Sequence, residues 1–232
     1  MTGWVLGSDI GGTFTDIVLA GPGGAWSSIK QLTTPDAPER GVVEGARRAI
    51  EQAGIHPEQI ERVVHGTTLA TNAVIERRGA RTAFVTTAGY GDLLHIGRNA
   101  RVEQDRYDLH FAPAPAPLPR GLVFEVGERT DARGAVVRPL DSGHAAEVAA
   151  QVAKREPESV AVCFLHAYAN PAHEEHMGQA LATALPSARV VLSSRVHPEI
   201  REFDRACTTL FTAEVAPLMA RYLEQLAGIL MD

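Results

Sequence analysis

The 232-residue chain has two cysteines, Cys163 and Cys207. Neither their number nor their spacing allows a disulfide framework or a zinc module, which indicates a reducing compartment. Cys163 sits in an apolar run and Cys207 in a helical stretch, so both read as buried thiols. Runs rich in lysine or arginine are missing: Arg47-Arg48 and Arg77-Arg78 are isolated pairs, and the formal charge is −6. Such a chain has no phosphate-tracking face for nucleic acid. No apolar stretch approaches membrane-spanning length, and no charged segment followed by an apolar run opens the sequence. The expected location is therefore cytoplasmic, with no membrane partner. Internal repeats and heptads are absent as well. No lysine precedes Lys30, which removes the P-loop, and no Gly-x-Gly-x-x-Gly runs into a helix, which removes the dinucleotide fingerprint.

What the chain does carry is concentrated at residues 7–16, Gly-Ser-Asp-Ile-Gly-Gly-Thr-Phe-Thr-Asp. Val5 and Leu6 lead in as an apolar strand, and Phe14, Ile17, Val18 and Leu19 lead out as another. Between them Gly11 and Gly12 can take backbone angles closed to other residues and expose N–H groups, while Thr13 and Thr15 add hydroxyls. Asp9 and Asp16 bracket the turn. Two carboxylates beside a polyphosphate need a cation between them, and magnesium, a hard ion that bridges carboxylate to phosphate, suits that position. The alternative is an ordinary glycine-turn hairpin.

Along the chain, Trp26 to Leu32 forms a third strand and Pro35 and Pro38 mark a loop. Val42, Val43, Ala46, Ala49 and Ile50 then trace one face of a helix. A short buried strand at Arg62–Gly66, a helical segment ending near Arg78 and a strand at Arg81–Thr86 follow. The alternating alanines and prolines of 112–117 exclude regular structure. Val123 to Arg138 reads as a hairpin turning at Asp131–Gly134. Asp141 or Ser142 caps a helix to about Lys154, and Ser159–His166 is an apolar strand. Asn170 caps the next helix with Pro171 in its first turn. A strand at Arg189–Leu192 precedes a long helix from about Phe203 to Leu226. The 45% hydrophobic share and the chain length suffice for one large domain or two small ones. A strand hairpin followed by alternating helices and strands is an α/β arrangement.

Other constellations compete with structural roles. His65-Gly66-Thr67-Thr68-Leu69-Ala70-Thr71-Asn72 ends a strand at a helix start, where crowded hydroxyls make an anion or carbonyl site; capping by Thr67 or Thr68 is the alternative. Arg98, after Gly97, suits a substrate carboxylate or is simply solvated. His173-Glu174-Glu175-His176 has the wrong spacing for a zincin and reads as a solvated helix face.

With Asp9–Asp16, His65–Ala73, Ile96-Gly97-Arg98, Tyr107-Asp108-Leu109 and Arg201–Arg205 in this order, the chain resembles the N-terminal region of the hydantoinase A/5-oxoprolinase family. That family lies in the actin/hexokinase/Hsp70-like ATPase superfamily. The resemblance implies a ribonuclease H-like, actin-like α/β domain whose mixed sheet opens with an antiparallel hairpin and is flanked by helices. Residues 98–140 are expected to be a loop and hairpin insertion, and the second nucleotide-clamping domain to be absent. The implied activity is ATP-dependent opening of a cyclic amide after phosphorylation of its oxygen, with ATP and Mg2+ as cofactors. Asp9 and Asp16 are implied as catalytic, Asp9 also in the magnesium shell, and Gly11, Gly12, Thr13 and Thr15 as phosphate-binding. His65, Gly66, Thr67, Thr68, Thr71, Asn72 and Arg98 would face the substrate. Expected partners are the small cyclic amide, the remainder of the subunit and a hydantoinase B-type subunit. Asn99 departs from the family's Gly-Arg-Gln, and Thr212 and Glu214 stand where an asparagine and a tyrosine are usual. A carboxylase subunit, a sugar kinase and a non-catalytic nucleotide-binding scaffold are the alternatives. The chain is expected to hold phosphate-binding groups without turning over ATP alone.

Overall fold

The computed structural model describes residues 3–34, 37–98, 101, 103–112 and 115–231. Pro35, Asn99, Pro113 and Ala114 lie outside the described residues. Two compact units result, Met1–Arg78 with Leu218–Asp232, and Gly79–Pro217.

In the first unit, β1 (Trp4–Ile10), β2 (Phe14–Ala20) and β3 (Trp26–Leu32) form an antiparallel meander. Helix α1 (Pro38–Ala53) leads to β4 (Ile60–Thr67), which pairs parallel with β1, giving the mixed order β3-β2-β1-β4. Helix α2 (Leu69–Ile75) follows, ending a few residues earlier than expected. Alternation decides the faces: Leu6, Ile10, Ile17, Leu19 and Ile29 are buried on one side, against Val42, Ala46 and Ala49 of α1. The helix lies close because it presents glycine there; a Cβ at Gly45 would sit 2.6 Å from Ile17 Cγ1. It stops at Gly54, whose φ of 64° is left-handed. The opposite face carries Asp9, Asp16, Val18, Lys30 and Val64 and is open. Strand β4 was expected to be buried, but it is the sheet's edge, with Val63 and Val64 exposed by 42% and 53%.

The second unit contains β5 (Thr82–Thr87), α3 (Leu93–Ile96), β6 (Val123–Val126), β7 (Arg129–Thr130), β8 (Val136–Arg138), α4 (Ser142–Ala153), β9 (Ser159–Cys163), α5 (Ala172–Ala184), β10 (Arg189–Leu192) and α6 (Ser193–Val196). Helix α7 (Glu202–Met231) ends the chain; its residues to Pro217 belong to this unit and those from Leu218 to the first. The sheet is parallel throughout, in the order β10-β9-β5-β6. Every residue of β5 and β9 is buried, as central parallel strands between layers require. Asp141 caps α4 by accepting the His144 N–H at 2.8 Å. Asn170 instead accepts from Ala172 N at 3.1 Å, one residue ahead of the cap position, which Pro171 holds.

Other sequence expectations fail in this unit as well. The segment 123–138 is not one hairpin: β6 joins the large sheet beside β5, and only β7 and β8 pair around the turn at Asp131–Gly134. The His173–His176 segment is not a solvated face. Glu174 is fully buried, accepting from Phe164 N, Ser193 Oγ and Ser194 N, while His173 Nδ1 lies 2.7 Å from the buried Glu128. Burial raises the pKa of the Glu174 carboxyl above its ordinary range. Arg205, also fully buried, donates to Ser193 Oγ, Glu199 O and Phe164 O and so joins this buried polar cluster. Cys163 is buried as expected, but Cys207 is only half-buried. No helix among the described residues is long and apolar enough to cross a membrane.

Candidate functional site

The turn joining β1 to β2 is held from behind. Thr33, just past β3, donates its N–H to Thr13 O at 2.9 Å and its hydroxyl to Gly11 O at 2.9 Å. Thr68, just past β4, donates its N–H to Ile10 O at 3.0 Å. Gly11 N closes the turn onto Phe14 O at 2.9 Å. The carbonyls of Ile10, Gly11 and Thr13 are thus occupied. Among the described residues, the Gly12 and Thr13 N–H groups have no backbone acceptor, and both residues are exposed. A turn whose carbonyls are tied back and whose N–H groups are open favours an anion.

The glycines serve differently from the sequence expectation. Neither Gly11 nor Gly12 has a positive φ. Gly12 is needed for close approach, since a Cβ there would lie 3.2 Å from Asn72 Nδ2; one at Gly11 would lie 3.3 Å from Phe14 O. Among the described residues, no packed hydrophobic side chain crowds either position.

Asp9 and Asp16 are direct cross-strand partners on the open face. Asp16 is held by Lys30, whose Nζ donates to both carboxylate oxygens at 2.9 and 3.0 Å from the opposite position on β3. Asp9 is exposed and makes no hydrogen bond or ion pair among the described residues. A hard dication needs available oxygen donors. Asp9 fits that requirement, whereas Asp16 is already neutralised. Thr15 lies apart from this group: it is fully buried on the inner face, its hydroxyl 3.1 Å from that of Thr33.

The His65–Asn72 segment divides likewise. Both ring nitrogens of His65 are used, Nδ1 at 2.7 Å from Ser8 Oγ and Nε2 at 2.6 Å from the Tyr222 hydroxyl. Burial lowers the imidazole pKa, although the nearby Asp9 charge works the other way. His65 therefore ties β4 to β1 and α7. Thr67 Oγ1 accepts from Leu69 N at 3.1 Å, a local cap. Gly66 pairs with Asp9 across the parallel ladder, where a Cβ would lie 3.2 Å from the Asp9 carboxylate. Thr68 and Asn72 meet at the turn, and Thr71 is exposed on α2. Arg98 belongs to the other unit, bonded through both carboxylate oxygens to Asp204; that bond raises its pKa. Lys30, Ser8 and Tyr222 escaped the sequence reading, because cross-strand register and a partner 157 residues away leave no local pattern.

A hairpin-led mixed sheet bearing an anion-ready turn, in an α/β chain, defines the ribonuclease H-like, actin-like ATPase class of fold. Within it the chain belongs to a particular family: residues 5–185 match the hydantoinase/oxoprolinase N-terminal region. Among relatives, caprolactamase subunit alpha of Pseudomonas jessenii is 32% identical over 97% of this chain and 33% of its own length. The 5-oxoprolinase 1 of Arabidopsis thaliana is 31% identical over 93% of the chain and 19% of its own. The nucleotide-free structure of an acetone carboxylase superposes with a TM-score of 0.90 at 25% identity, covering 100% of this chain and 35% of that one. The crystal structure of the Pseudomonas jessenii ATP-dependent caprolactamase gives 0.87 at 30% identity, covering 98% and 33%. The chain spans about a third or less of the length of these proteins.

Proposed function

We propose that this chain is the N-terminal, phosphate-binding part of an ATP-dependent cyclic-amide hydrolase that phosphorylates the amide oxygen before the ring opens. The observation that carries the reading is the braced turn at Gly11–Thr13, with open N–H groups and the exposed Asp9 carboxylate beside it. Gly12 and Thr13 N–H groups would hold the phosphates and Asp9 the Mg2+, which supplies charge neutralisation on the polyphosphate when bound. An amide carbonyl is a poor electrophile, and an O-phosphorylated one is open to water. This chemistry relies on positioning and charge rather than a covalent protein nucleophile. Asp16 serves to anchor Lys30 and fix the strand pair, and Thr15 to seat the turn. Arg98 remains a candidate acceptor contact only if substrate displaces Asp204.

The relatives include subunits of multi-subunit enzymes, so the remainder of the polypeptide and a second subunit of the hydantoinase B type are the proposed partners, in the cytoplasm. A second reading, an ATP-dependent carboxylase subunit, is favoured by the likeness to the acetone carboxylase structure. Titration of the chain with Mg2+ and a nonhydrolysable ATP analogue tests the shared part. Asp9→Ala should weaken binding by on the order of tenfold or more. Unchanged affinity would remove the phosphate site from this turn. In the longer protein, ATP consumption driven by lactams rather than by ketone with bicarbonate separates hydrolase from carboxylase.

A further inference from the structure

Strand β10 is an outer strand of the second unit's sheet, paired among the described residues with β9 alone. Arg189 sits opposite Ser159 and donates its N–H to Glu158 O at 3.0 Å, so the backbones of Arg189 and Val191 turn toward β9. In a parallel ladder the intervening residues turn the other way. The N–H and C=O of Val190 and the N–H of Leu192 therefore face the open edge, with no backbone partner there among the described residues. A groove of about 520 Å³ follows that edge, walled by α5 on one side and by α7 on the other. The walls are cut back by small residues, Gly178 and Ala182 on α5 and Ala216 on α7. Helix α5 can lie close to the strand because a Cβ at Gly178 would already be 3.2 Å from Leu192 Cδ2. Val190, Leu192 and Val196 make an apolar floor, and Arg189, Arg195 and Glu175 stand at the rim. Arg195 is 3.6 Å from Glu175 in an exposed pair. The rim thus carries one guanidinium more than carboxylates, in a chain whose formal charge is −6.

We propose that this groove docks an extended, acidic segment of a partner polypeptide, which adds a strand to the free edge of β10. The segment's backbone would accept from the Val190 and Leu192 N–H groups and donate to the Val190 C=O. Its apolar side chains would fill the space beside Gly178 and Ala216, and its carboxylates would meet Arg189 and Arg195. A free strand edge pairs with little discrimination, and the two arginines supply it by charge. An exposed, charged rim around an apolar floor is the composition of an interface that forms and separates, which suits a separate chain better than a permanently packed part of the same one. The groove belongs to the unit without the Gly11–Thr13 turn, so its occupancy is independent of the nucleotide reading.

The test titrates the isotope-labelled 232-residue chain with acetyl-TVEVDV-amide, with its basic counterpart acetyl-TVKVKV-amide, and with the acidic peptide N-methylated at its central amides. The acidic peptide should shift the Val190 and Leu192 amide resonances and slow their hydrogen exchange. The basic and N-methylated peptides should bind about tenfold or more weakly. Val190→Pro removes the outward N–H and leaves the bonds to β9 in place, a substitution that edge strands tolerate. It should weaken the acidic peptide by about tenfold with an unchanged circular dichroism spectrum. Arg189→Glu combined with Arg195→Glu should reverse the preference between acidic and basic peptides. Equal binding of all three peptides, protection of amides elsewhere than β10, or no binding of the acidic peptide at millimolar concentration would each overturn the assignment. So would a dimer of the chain abolished by Val190→Pro, which would give the edge to a second copy. Displacement of the acidic peptide by citrate, with the Val190 amide exchanging freely throughout, would also overturn it and leave only an anion contact at the arginines. The comparison of peptides on the wild-type chain needs no variant to fold.

Discussion

His65 is the residue at which type and role part most clearly. A histidine ending a strand beside three threonines reads as a substrate group, yet Ser8 and Tyr222 occupy both of its nitrogens. A neutral ring suits this place, since one nitrogen then donates and the other accepts. Replacing it with phenylalanine would leave two largely buried hydroxyls without their partner and should cost about 1–3 kcal/mol, read as a lowered urea midpoint. The pH dependence has a definite sign. Burial holds the folded-state pKa of His65 below 6.5, its ordinary value, so below pH 6.5 the unfolded chain takes up a proton that the folded chain resists. Stability should therefore fall as pH drops from 7.5 through 6.5, and level off once the depressed folded pKa is passed. Urea titrations at pH 7.5 and 5.5 should show a larger drop for wild type than for His65→Gln. An equal drop would place the titration elsewhere. Asp16 teaches the same lesson: its partner Lys30 lies opposite it only because of strand register.

At the scale of elements, composition and alternation carried most of the fold. Strands β3 and β10 fall where β-branched and apolar patterning puts them, and Asp141 caps α4 because an aspartate before an alanine-rich run accepts an N3 amide. What misled was pairing: β6 looks like the arm of a hairpin because a turn follows it, but parallel pairing with β5 is a long-range choice that no local residue records. Burial of β4 was misjudged for a related reason, since valines at an edge look no different from valines at a centre. In α1, glycine spacing acts alongside apolar spacing, since Gly41 and Gly45 are buried together with Val42, Ala46 and Ala49. Gly45→Ala would ordinarily strengthen a helix by up to about 1 kcal/mol. Here the added methyl meets Ile17 Cγ1 at 2.6 Å, so overpacking should dominate and destabilise by about 1–3 kcal/mol. A thermal melt of the variant decides this, and a raised midpoint would show that α1 can lift from the sheet at little cost.

For the molecule as a whole, the matched region is a third or less of the relatives' length, and phosphoryl transfer requires the attacking oxygen, the transferred group and the leaving group to be held in line. On the proposed function, the first unit would offer a turn for the phosphates and a carboxylate for the metal. On that reading these groups bind, whereas alignment of a triphosphate also needs contacts along its nucleoside end, and the chain spans about a third or less of the relatives' length. The expected outcome is that this chain takes up the Mg2+–ATP analogue but releases no phosphate from ATP above background, with or without lactam, while a longer polypeptide containing it does both. A phosphate-release assay run beside the binding titration separates the cases. Sustained lactam-stimulated turnover by the pure 232-residue chain would mean that its own two units suffice to align the reaction, and binding without turnover would assign alignment to the rest of the enzyme.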